Sequence, residues 1–178
     1  MQAYKHFMTI TKHRHLVRQG CFQVGLYWQG LVHDLSKYSP TEFWIGAKYF
    51  QGYRSPNNAE REETGYSGAW LHHKGRNKHH FEYWLDYSAT ELKGFVPVKM
   101  PTKYIIEMFM DRVAASKNYN GAQYTDADPL GYYMKGKEHI IMEKESKALI
   151  EKLLTMLKNK GEKETYRYIR VKILKKKR

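Results

Sequence analysis

His33 and Asp34 are neighbours in the chain, and together they offer an imidazole nitrogen and a carboxylate oxygen from adjacent positions. Divalent transition metals accept both as ligands. Other histidines gather around the pair. His13 and His15 precede it, and His72, His73, His79 and His80 follow inside the stretch HHKGRNKHH, while His6 and His139 stand apart. Eight of the nine histidines fall in the first 80 residues. That bias makes a metal centre the leading chemistry. Cys21 is the only cysteine, so an intramolecular disulfide and a thiolate cluster are both excluded. Any metal must be held by nitrogen and oxygen.

The elements that position these groups read as helices. Residues 4–38 form one long helix or two joined ones, with Ile10, Val17, Cys21 and Val24 on one face. On that wheel His13 falls near the apolar face and His15 on the other side, so a buried site uses His13. Ser39, Pro40 and Glu42 have the spacing of a helix start, which places His33 and Asp34 at the end of the preceding helix. Asn57 and Glu60 offer a second capping box, with a helix expected over residues 58–73. Residues 74–77 are a turn and 79–86 resume helix. A further helix runs from Pro101 or Thr102 to about residue 118, and a last one spans 135–158, ended by Gly161. Trp28, Trp44, Trp70 and Trp84 are expected in the core. The expected fold is all-α: about six helices in one domain over residues 1–161, then a basic tail over 162–178.

Asp111 lies in an otherwise apolar helical stretch, on the face of Tyr104, Met108 and Ala115. A carboxylate that points into a core must be paired or bound to metal. The order of these groups (His13, His33-Asp34, later histidines, Asp111) resembles the HD superfamily of metal-dependent phosphohydrolases. The resemblance implies that His13, His33, Asp34 and Asp111 bind one divalent transition metal (Mn, Fe, Co, Ni or Zn). Some relatives use intervening histidines for a second ion. Those relatives usually carry them on two helices with a longer gap; here only five residues separate His73 from His79. The segments HDLSKYSPTEF and HHKGRNKHHFEYW also resemble a small bacterial and phage family with no established activity, over most of residues 8–120.

The formal charge is +13, of which +6 lies between Glu162 and Arg178. Such a balance suits an anionic partner. The expected ligand is a phosphorylated small molecule or nucleotide, with nonspecific nucleic acid as a possible partner of the tail. Lys37, Arg76 and Asn77 are candidate phosphate contacts, and a histidine among His72, His73, His79 and His80 is the expected proton donor to the leaving oxygen. The expected reaction is phosphate-ester hydrolysis by a metal-activated water. Alternatives are a di-iron oxygenase and a metal-stabilised nucleic-acid binder. No apolar run approaches a membrane span, and no signal core opens the chain, so a cytoplasmic protein is expected.

Overall fold

The computed structural model describes residues 1–90 and 94–175. Eight α-helices and one two-stranded ribbon make up its regular structure among the described residues, apart from short 3-10 and π turns, so the all-α expectation holds. None of these helices is long and apolar enough to cross a membrane.

Helix α1 (Gln2–Val24) packs along α2 (Tyr27–Val32), α3 (Pro40–Lys48) and α6 (Thr102–Asn120). Its Val17, Cys21 and Val24 are fully buried. They meet Ile106, Phe109 and Met110 of α6 and Ile150, Leu153, Leu154 and Leu157 of α8 (Lys144–Tyr168) in one apolar cluster. Burying a large aliphatic or aromatic side chain contributes roughly 1.5–3 kcal/mol, so this cluster is the main source of stability.

The region between α3 and α6 departs from the expected pattern. Residues 58–73 are two helices, α4 (Pro56–Thr64) and α5 (Gly68–Lys74). The break falls at Gly65, which takes φ +82 and closes α4 with its N–H on the Arg61 carbonyl. Ser55 caps α4 in place of Asn57, and Glu60 spends its carboxylate on the Ser67 hydroxyl and the Gly68 N–H, holding the start of α5 against α4. Residues 79–86 are not α-helix. A 3-10 turn (Phe81–Trp84) leads into strand β1 (Leu85–Tyr87), paired antiparallel with β2 (Phe95–Pro97). Phe81 and Trp84 pack on the core at a spacing of three, the period of a 3-10 turn rather than of an α-helix.

The end of the chain also differs. Helix α7 (Asp128–Gly136) precedes α8, so Ile140 and Ile141 lie between helices and Ile141 is exposed. Glu143 begins α8 by accepting the Glu145 and Ser146 N–H groups. Gly161 interrupts α8 with non-helical backbone (φ 77, ψ 172), as expected of a helix stop, and a second helical segment follows across the kink. The helix continues to Tyr168 and a π turn (Ile169–Ile173), and Thr165, Tyr166 and Ile169 are buried. The packed body therefore runs past residue 161; residues 176–178 of the expected basic tail lie outside the described residues. Trp28 and Trp44 are exposed at 69% and 63%, not core, while Trp70 and Trp84 are half-buried.

Candidate metal centre

The face of α1 that carries Val17 turns, one helical turn earlier, into His13, which is buried. The chain after α2 brings the next two groups. His33 ends α2, and Asp34 adopts φ 52, a left-handed conformation that aspartate tolerates better than most residues. Strained backbone of this kind collects at functional positions. It turns the Asp34 carboxylate fully inward, toward α1, α5 and α6.

Asp34 then divides its oxygens between two groups of side chains. Its Oδ2 lies 3.4 Å from His33 Nε2 and 3.8 Å from His13 Nε2, and Asp111 Oδ1 completes this set at 2.9 Å from His13 Nε2 and 3.6 Å from His33 Nε2. Its Oδ1 lies 3.3 Å from His73 Nε2 and 3.4 Å from His79 Nε2. His80 packs beside them, its ring centroid 4.1 Å from that of His79. Ligand atoms of His13, His33, Asp34 and Asp111 lie within 4.8 Å of one another, and so do those of Asp34, His73, His79 and His80.

A second layer of acids holds the imidazoles. Glu107, one turn before Asp111 on α6, takes His33 Nδ1 at 3.0 Å and lies 3.3 Å from His79 Nδ1. Glu42 on α3 takes His73 Nδ1 at 2.7 Å and His72 Nδ1 at 2.7 Å. An imidazole that gives its Nδ1–H to such an acid has, in its neutral form, the Nε2 lone pair facing inward, the tautomer that a metal-binding histidine needs. Buried His33 Nε2, His79 Nε2, His80 Nε2 and Asp34 Oδ1 make no close hydrogen bond, while Asp34 Oδ2 meets the Lys37 ammonium at 2.7 Å and His13 Nε2 meets Asp111 Oδ1 at 2.9 Å. Burying so many unpaired polar atoms costs free energy that a bound cation offsets.

The electrostatics agree with a cation-seeking nest. Burial opposes ionisation of Asp34, yet the charges of His33, Lys37 and His73 hold its carboxyl well below the usual range. Asp111 is half-buried; burial opposes its ionisation, yet hydrogen bonding to His13 and His33 keeps it well below the carboxylate norm. Burial pulls the His33 imidazole down, but Asp34, Asp111 and Glu107 outweigh it and push the pKa up to about 10. Burial and the neighbouring imidazoles lower His80 well below its ordinary value. The acids attract a proton to some imidazoles and burial keeps others neutral, so a metal must displace protons to bind.

The structure brings together His13, His33, Asp34, Asp111, His73, His79 and His80 of the candidates named from the sequence. Three of the four expected proton donors thus stand beside Asp34 as possible ligands. The fourth, His72, faces Glu42 at the margin. Lys37 reaches the centre, with Nζ 2.7 Å from Asp34 Oδ2. Arg76 and Asn77 do not form a phosphate grip at a turn tip. Arg76 is exposed and bonds the His72 carbonyl, while Asn77 is buried and ties Ser36 Oγ to the His73 carbonyl. His15 is exposed beside Arg18. Glu42 and Glu107 escaped sequence reasoning. Glu42 sits at the capping-box spacing after Ser39, but the Ser39 hydroxyl has no partner and the acid serves histidines instead. Glu107 had a legible signal: it lies four residues before Asp111 in an apolar helix, on the same face.

Residues 2–156 match the model of DUF5662, described as a family of unknown function. No curated protein and no solved structure matches the chain.

Proposed function

We propose that this chain, which belongs to the DUF5662 family, is a two-metal phosphate-ester hydrolase in which Asp34 would serve both ligand sets. One observation carries the reading: Asp34 presents one oxygen to the His33 set and the other to the His73 set. A carboxylate placed so would supply a ligand to each of two ions, which together would polarise a phosphoryl oxygen and a water. His13, His33 and Asp111 would complete the ligands of one ion, and His73, His79 and His80 those of the other. This extends the HD-like ligand pattern to both of its metal positions.

When bound, such ions acidify a water ligand and draw charge from a phosphoryl oxygen. The chain's own residues do the rest. Glu107 and Glu42 fix the imidazole tautomers and ring planes, so the ligand geometry is formed before the ions arrive. Lys37, whose ammonium already sits against Asp34, is placed to meet an anionic oxygen at the same edge of the centre.

The surplus of imidazoles over carboxylates favours a second reading, a di-iron oxygenase on the same ligands. One experiment separates the two. Elemental analysis of protein purified without chelator is expected to give two equivalents of metal, and a phosphate-ester panel with manganese, cobalt or nickel is expected to show turnover that Asp34→Ala abolishes together with the metal. Two irons with an oxo-bridge absorption band and no ester hydrolysis would select the oxygenase, and metal-free protein that stays metal-free on titration would end both.

A further inference from the structure

Helix α2 is built inside out. Its buried residues are Gln29 and Gly30, while Tyr27, Trp28 and Leu31 stand in solvent. Leu35, in the 3-10 turn that follows (Leu35–Tyr38), is exposed as well. Single exposed apolar side chains are ordinary, but a contiguous group of them marks an interaction surface.

Helix α1 continues this face. Phe7, Thr11, Arg14, Arg18 and Phe22 recur at steps of three and four residues and form one stripe of the helix. Their contacts fix where the stripe looks. The Phe7 ring centroid lies 5.8 Å from that of Tyr38, and Thr11 Oγ1 is 2.9 Å from the Tyr38 hydroxyl. Arg14 donates to the His33 and Leu31 carbonyls at 2.7 and 3.2 Å. The Phe22 ring meets that of Tyr27 edge-on, with centroids 5.3 Å apart. Stripe and α2 therefore make one surface of aromatic and aliphatic side chains with arginines between them.

The charge of this surface has one sign. The segments that form it, within residues 1–44, hold two acids, Asp34 and Glu42, and both are buried. Arg18 is exposed and Arg14 half-buried, and Lys5 and Lys12 are exposed on the same helix. A second copy of the chain is a poor occupant, because a two-fold contact sets these cations against their own copies. An anionic phospholipid surface fits. Its headgroups take cations of one sign, and their boundary with the acyl chains takes Trp, Tyr and Leu side chains.

We propose that α1 and α2 form a peripheral membrane-binding face, on which Tyr27, Trp28, Leu31 and Leu35 enter the interface of an anionic bilayer and Arg14 and Arg18 meet its headgroups. Such attachment needs neither a spanning helix nor a bound metal, so it stands or falls apart from the two-metal centre.

Co-sedimentation of the full chain with vesicles tests it, using phosphatidylcholine alone and an equimolar mixture of phosphatidylcholine and phosphatidylglycerol. The mixed vesicles are expected to bind at least roughly 10-fold more tightly, and added salt to weaken that binding. Tryptophan fluorescence should move to the blue on binding, and less so in Trp28→Phe. The triple variant Trp28→Ser, Leu31→Ser, Leu35→Ser should lose roughly 10-fold or more in vesicle affinity. Its urea midpoint should stay that of unaltered protein, because all three side chains are exposed. Lys160→Glu with Arg167→Glu, at exposed positions of α8, should leave most of the binding in place. Failure to bind either vesicle would overturn the proposal. So would a triple variant that binds like unaltered protein while the α8 variant does not, because the contact would then be the basic end of the chain. A dimer that the triple variant dissociates, or capture by polyglutamate, without vesicle binding would overturn it in favour of a second copy or an acidic protein.

Discussion

Helices α1 and α6 each build two buried regions, and the two obey opposite rules. Toward α8 they present Val17, Cys21, Val24, Ile106, Phe109 and Met110, which close an apolar core. Toward α2 and α5 they present His13, Glu107 and Asp111, which close a polar nest around Asp34. His33 and His79 in the nest are as inaccessible as many residues of the core, at 1% exposure each. Burial therefore does not tell the regions apart; satisfaction does. The core gains from every contact it makes, whereas the nest keeps inward nitrogens and oxygens without partners. A region of that kind is a cost to folding held for what it binds.

The sharpest way to break the comparison is to injure the core alone. Phe109→Ala, at a fully buried position, should cost about 3–5 kcal/mol in urea unfolding. The fraction that remains folded should keep its full metal stoichiometry. A variant that folds well but loses metal would mean that the two regions are not separable.

Metal itself acts on the other side. Saturation at about 100 times Kd should stabilise the protein by about 2.7 kcal/mol per independent site. Asp34→Asn removes the bridge and should show almost none of this gain. Its metal-free stability should fall as well, because the Lys37 ammonium loses its carboxylate partner. Full metal stabilisation in this variant would take Asp34 out of the metal centre.

Glu107→Gln probes the layer between the regions. Loss of the acid behind His33 and His79 should weaken metal roughly 10- to 100-fold, with little change in metal-free stability. Competition with a chromophoric chelator measures it. Unchanged affinity would mean that Glu107 only fills space.

The smallest effect lies outside both regions. His6 packs between Phe43 and Phe50, and burial, aided by the charge of Lys37, lowers its pKa from 6.5 to about 4. The unfolded chain therefore binds a proton that the folded chain refuses between those values. His6 costs no stability above about pH 6.5 and subtracts from it as the pH falls toward 4. Denaturant midpoints of His6→Phe should fall less steeply than those of the unaltered protein across that window. Parallel curves would show that His6 does not titrate with folding.

Much of the fold was legible because helices announce themselves locally. The period of Ile10, Val17, Cys21 and Val24 marked the buried face of α1, and Pro40 marked the start of α3. What failed was punctuation. Gly161 does stop the regular helix, but the contacts of Tyr166 and Ile169 with the core hold a further helical segment beyond the kink that the sequence did not announce. The aromatic run after His80 reads as helix, but Phe81–Trp84 is a 3-10 turn packed on the core, and pairing with β2 claims Leu85–Tyr87 for a strand. Tertiary contacts override local preference in both places. The candidate site divides in the same manner. His13, the His33-Asp34 pair and Asp111 stood out because their residue types conflict with an apolar helical setting. Arg76 and Asn77 misled because a turn composition says nothing about which way the turn faces.

By itself the sequence determined the helical class, the nitrogen and oxygen character of any metal site, and the inward histidine of α1. Those follow from residue chemistry and a period of 3.6, which need no partner element. Only the tertiary structure decided that the two oxygens of Asp34 face different sets of imidazoles and that Glu42 and Glu107 stand behind them. Such facts depend on the turn at φ 52 and on the packing of α1, α3, α5 and α6, distances between segments far apart in the chain that no local pattern encodes.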